Sequence, residues 1–170
     1  SMDLNVVAPT NKANLLWEAA YSNKVEVAQY LLENNINTEQ AALFQDDRSK
    51  THTPLHIAAK FGNNKVMKLL LERRACLNTS DGNSSPLDDA IAGGYAQTVL
   101  ILVAAGATSD LIWNTHNPVI IMSIAKGLSK CPQALNDATV ENAHSFFDVS
   151  SQVSRFVLGI FLPILFERRP

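Results

Sequence analysis

The sequence predicts an all-α fold, a solenoid of about four helix-turn-helix units with a C-terminal capping helix. Three observations carry this reading. First, Thr53-Pro54-Leu55-His56-Ile57-Ala58-Ala59 has the residue types of a capped helix start. A proline in the first helical turn forfeits no hydrogen bond and arrives with φ preset. A threonine just before it offers its hydroxyl to a free backbone N–H. Second, Val66-Met67 and Leu69-Leu70-Leu71 follow at helical spacing, beyond the stop at Lys60-Phe61-Gly62. Third, the pattern restarts at Ser85-Pro86-Leu87, so that Pro86 stands 32 positions after Pro54. One hairpin recurring at a near-constant step is how a stacked repeat protein is written.

Taken in order, residues 1–12 read as a lead-in with little regular structure, Ser1-Met2 being a cloning remnant and Pro9-Thr10-Asn11 a stop before the first helix. From Ala13, Leu15-Leu16-Trp17-Glu18-Ala19-Ala20 and then Val25 to Leu32 repeat the central hairpin, with Leu16 in the place of Leu55 and Ala19-Ala20 in that of Ala58-Ala59. Asn23 stands where Gly62 stands and Asn35 where the second helix should end, asparagine being the next best left-handed cap. Trp17 replaces the histidine and reads as core or rim. Leu55 follows Leu16 by 39 positions, so this first step carries an insertion, at 40–50. Its Leu43 and Phe44 are either a clip that folds the loop back or a partner contact.

The central unit closes through the loop Arg73–Asn78 and the turn cluster Ser80-Asp81-Gly82-Asn83. In the third unit Asp88 takes the place of His56, Gly93-Gly94-Tyr95 match Phe61-Gly62-Asn63, and Val99–Val103 form the second helix. A fourth unit starts at Asn117-Pro118 and its first helix is set to end at Lys126-Gly127. In the extension 128–170, Phe156–Phe166 is an unbroken apolar run of eleven. As a helix it would span roughly 16 Å, about half of a ~30 Å bilayer core, so no membrane span is expected. The reading favoured for it is a helix covering the end of the stack. The alternative is an adaptor or self-associating helix, acting through residues 150–170.

Thr53 to Ala59 spells T-P-L-H-x-A, and Ala105-Gly106-Ala107-Thr108 has the form of a repeat-closing loop. On these motifs and a step near 33 residues, the stretch from Ala13 to Gly127 resembles the ankyrin-repeat family. The resemblance implies a protein-binding module, with first helices and turn tips lining a concave side. It also implies that His56 is structural, tying helix starts of neighbouring repeats together.

Composition narrows the classes. A formal net charge of -2, from 14 basic and 16 acidic residues, leaves no electrostatic footprint for nucleic acid. Cys76 and Cys131 lack metal-ligand spacing and read as thiols of a reducing compartment, cytoplasmic or nuclear. No phosphate-binding loop, H-E-x-x-H, C-x-x-C or G-x-S-x-G motif is present. Cys131, His144 and Asp148 have no spacing that favours a thiol nucleophile. No catalytic residue, metal or cofactor is therefore expected.

The expected function is non-catalytic binding of another protein. Tyr21, Ser22, Lys60 and Phe61, at the ends of first helices, are candidate contacts, the aromatic pair as anchors. Asp46, Asp47, Arg48, Lys50, His52, Asp81 and Asn83 are candidates at the turn tips. Ala92-Gly93 leave a small-residue patch beside Phe61, and Arg73-Arg74 extend a basic side. Besides the adaptor role, a substrate-binding module of a larger enzyme stays open as an alternative.

Overall fold

The computed structural model describes residues 4–44, 47–78, 84–109 and 118–128. Three helical hairpins follow one another: α1 (Leu15–Tyr21) with α2 (Val25–Glu33), α3 (Pro54–Lys60) with α4 (Asn64–Glu72), and α5 (Pro86–Ala92) with α6 (Ala96–Ala104). The first helices α1, α3 and α5 lie side by side, and the second helices α2, α4 and α6 form another row.

Each first helix starts on a side-chain cap. Asn14 accepts from the Trp17 N–H, Thr53 from the His56 N–H and Ser85 from the Asp88 N–H. His56 and Asp88 return a bond to the cap's own backbone, so two free donors are satisfied reciprocally. The helix ends are equally regular. The N–H groups of Lys24, Asn63 and Tyr95 reach back to the carbonyls of Ala19, Ala58 and Ala90. The residue before each, Asn23, Gly62 or Gly94, turns through positive φ, at 53°, 66° and 71°. This is the Schellman closure, and asparagine serves it in the first unit as its sequence position implies. Second helices close in the same way through Asn35, Arg74 and Gly106.

The core forms from equivalent positions. Leu16, Leu55 and Leu87 are fully buried, as are Ala20, Ala58, Ala59 and Ala90 between the first helices, where small side chains permit close approach. Leu70 and Leu102 are fully buried below them, with Leu31 nearly so. Polar ties cross each seam. Asn63 donates to the Ala20 carbonyl at 2.7 Å, and the Thr98 hydroxyl donates to Asn64 Oδ1 at 2.8 Å. Arg73 donates to the Leu32 carbonyl, so its guanidinium is engaged between repeats.

Two features depart from a bare stack. The insertion forms an antiparallel hairpin, β1 (Ala42–Phe44) and β2 (Asp47–His52), pairing Ala42 with His52 and Leu43 with Thr51. Leu43 N–H also donates to the Asn11 carbonyl at 2.9 Å, pinning the hairpin to the lead-in. Helix α7 (Pro118–Leu128) runs past Gly127, and its main neighbour is α6, whereas α3 and α5 each lie against the preceding first helix. Among the described side chains of α7, Ile120 and Ile124 are buried. The capping helix expected in the tail lies outside the described residues. Among the described residues no helix is long and apolar enough to cross a membrane.

Candidate functional site: an aromatic surface on the first helices

Phe44, carried by the hairpin, sits among side chains of α1 and α3. Its ring centroid lies 6.2 Å from Trp17, 6.0 Å from Tyr21 and 5.7 Å from Phe61. Tyr21 meets Phe61 edge to face at 5.2 Å and stacks on Trp17 at 5.8 Å. Such geometries match the positive edge of one ring to the negative face of another, worth ~0.5–1.5 kcal/mol per pair beyond burial. The ammonium of Lys60 stands 4.9 Å over the Phe44 ring, a cation–π contact. One side of this cluster is interior, with Trp17 only 4% exposed. The other is open: Tyr21 is 45% and Phe61 37% exposed.

Beneath the cluster runs a second pattern. His56 Nε2 lies 2.9 Å from the Ser84 carbonyl. A carbonyl only accepts, so Nε2 carries the proton, and Nδ1 receives the Thr53 N–H at 3.3 Å. Trp17 Nε1 donates to the His52 carbonyl at 2.9 Å. His52 stands just before the cap of α3, as Ser84 stands just before the cap of α5. Indole and imidazole thus make the same tie, each from its own repeat to the start of the next.

A family described as "Ankyrin repeats (3 copies)" matches residues 16–111. The chain belongs to the ankyrin-repeat family. Ankyrin repeats are in general protein–protein interaction modules. A putative ankyrin repeat protein of Rickettsia felis is 28% identical over 127 residues, covering 72% of this chain and 52% of that protein. The Transient receptor potential cation channel subfamily A member 1 of Homo sapiens is 32% identical over 93 residues, 55% of this chain and 8% of the channel. The chain therefore spans about half the length of one of these relatives and a small part of the other.

Within this ankyrin stack the structure brings Tyr21, Lys60 and Phe61 together, with Ser22 exposed beside Tyr21 at the end of α1. His52 is corrected: it is not an exposed tip residue but is 2% exposed, opposite buried Ala42 in the hairpin. Its ring lies between Phe44 at 6.1 Å and His56 at 5.8 Å. The reason is the hairpin, whose pairing turns the end of β2 inward. Asp47, Arg48 and Lys50 lie on β2, while Asp46, Asp81 and Asn83 fall outside the described residues.

The small-residue patch at Ala92-Gly93 is occupied differently from expectation. The Tyr95 ring lies against both Gly62 and Gly93, so close that a Cβ at either would stand 2.7 Å or less from a ring atom. Phe44, at the centre of the cluster, packs the insertion onto side chains of α1 and α3. Tyr95 has one signal in the sequence, a bulky ring directly after Gly93-Gly94.

Proposed function

We propose that this chain is a non-catalytic protein-binding module whose contact surface is centred on Tyr21, Phe44, Lys60 and Phe61. In the ankyrin family the first helices line the concave side, and these residues end or cover two of them. The observation that carries the reading is the half-open aromatic cluster. Tyr21 and Phe61 are held in place by ring contacts on one side and left to solvent on the other. Aromatic side chains fixed in this way lose little freedom when a partner covers them, which is what an anchor residue requires. The regular caps and closures of the helices add to this, since a rigid stack needs no ordering on binding.

The experiment is recovery of partners from native lysate on the immobilised chain, comparing wild type with the double variant Phe61→Ala, Lys60→Glu. Both side chains reach solvent, so the fold survives and circular dichroism should not change. Loss of a specific partner from the variant supports the reading, and unchanged recovery of every partner removes it.

A further inference from the structure

We infer that the segment which docks on this surface presents a carboxylate side chain next to a bulky apolar one. This rests on the binding surface proposed above and adds the chemistry of the partner. The described side chains of the surface are rings and one cation. Tyr21, Phe44 and Phe61 touch one another at 5.2 to 6.0 Å, and Lys60 is the charged member, with Nζ 4.9 Å from the Phe44 centroid. An ammonium resting on a ring uses one face of its three N–H donors and leaves the others toward solvent. Lys60 is half-buried and has no ion pair among the described residues. A partner that covers the rings therefore desolvates this ammonium, which is unfavourable unless the partner brings an acceptor of opposite charge.

The equivalent helix position is Tyr21 in the first repeat and Ala92 in the third, so along the three first helices this position carries a single positive charge, at the middle one. One carboxylate satisfies it. The exposed rings of Tyr21 and Phe61, which share Phe44 as a neighbour with Lys60, call for an aromatic, leucine or methionine side chain beside that carboxylate. Polar or basic segments leave the ammonium unpaired and the rings uncovered.

The test is selection of displayed random twelve-residue peptides on the immobilised 170-residue chain. A synthetic peptide of the recovered consensus is then titrated against wild type, Lys60→Gln, Lys60→Glu and Phe61→Ala. The expected consensus pairs Asp or Glu with an adjacent aromatic, Leu or Met. Its affinity should fall about tenfold with Lys60→Glu, less with Lys60→Gln, and about tenfold or more with Phe61→Ala. A peptide with its acid changed to Lys should prefer the Lys60→Glu protein. A consensus without an acid, lost with Phe61→Ala but indifferent to both Lys60 variants, overturns the carboxylate and leaves the surface standing. Binders indifferent to Phe61→Ala as well overturn the surface itself.

Discussion

Three glycines around Tyr95 separate two costs that are usually confounded. At Gly94 φ is +71° and a Cβ would meet nothing within 4 Å, so Gly94→Ala pays for left-handed backbone alone, ~1–2 kcal/mol. At Gly93 φ is -75°, which any residue adopts, but a Cβ would stand 2.5 Å from Tyr95 Cε2. Gly93→Ala therefore tests the ring without the backbone term, with a lesser contact to the Asp89 carbonyl at 3.2 Å. At Gly62 both apply, with φ at +66° and a Cβ 2.7 Å from Tyr95 Cδ1. The ring is 38% exposed and can swing outward, giving up part of its contact area for ~1 kcal/mol. The expected order of destabilisation is Gly62→Ala at ~2–3 kcal/mol, Gly94→Ala at ~1–2, and Gly93→Ala at ~1 or less, because alanine also restricts the unfolded chain. Urea unfolding followed by circular dichroism measures each. Repeating the series in a Tyr95→Ala background should reveal ~1 kcal/mol of coupling at Gly62 and none at Gly94. Equal losses at Gly62 and Gly94, with no coupling to Tyr95, would refute the contact as a source of stability.

Other outcomes follow from the same seams. Trp17→Phe keeps a ring beside Tyr21 and Phe44 but removes the donor to the His52 carbonyl; loss of that buried hydrogen bond should cost ~0.5–1.5 kcal/mol in urea unfolding. Thr53→Ala and Ser85→Ala each remove a cap and should cost ~1 kcal/mol, adding nearly independently because the caps belong to different repeats. Leu55→Ala, at a fully buried position, should cost ~2–5 kcal/mol, whereas Tyr30→Ala on the exposed side of α2 should stay within ~0.5. Phe44→Ala should leave the helices intact by far-ultraviolet circular dichroism yet shift the Trp17 emission, since it removes one of the two rings found against the indole.

What was legible in the chain is what is decided locally. Thr53-Pro54 and Ser85-Pro86 cap a helix whatever surrounds them, and Gly62, Asn23 and Asn35 mark turns through positive φ because few residues tolerate it. The alternation of leucine and alanine revealed which faces meet. The hairpin was not legible for the converse reason. Asp47 to His52 is a polar run without β-branched alternation, and it is extended because Ala42, Leu43 and Phe44 pair with it. That pairing also buries His52, a fate its neighbours in sequence do not announce. Trp17 is legible as core or rim, but its role as the histidine's substitute rests on Nε1 and Nε2 reaching equivalent carbonyls 35 and 28 positions away, which local sequence does not announce. Among the contacts chosen from sequence, Tyr21, Lys60 and Phe61 converge because they share a helix end in successive repeats. The ring that joins them came from the insertion.

The most direct measurement is photo-crosslinking in lysate with benzoylphenylalanine placed at Phe61 in one protein and at Tyr30 in another. Tyr30 is 59% exposed on a second helix, away from the aromatic surface. A partner seated on the first-helix surface gives a discrete adduct from position 61 and none from position 30. An adduct from position 30 alone would put the partner on the other row of helices and contradict that placement.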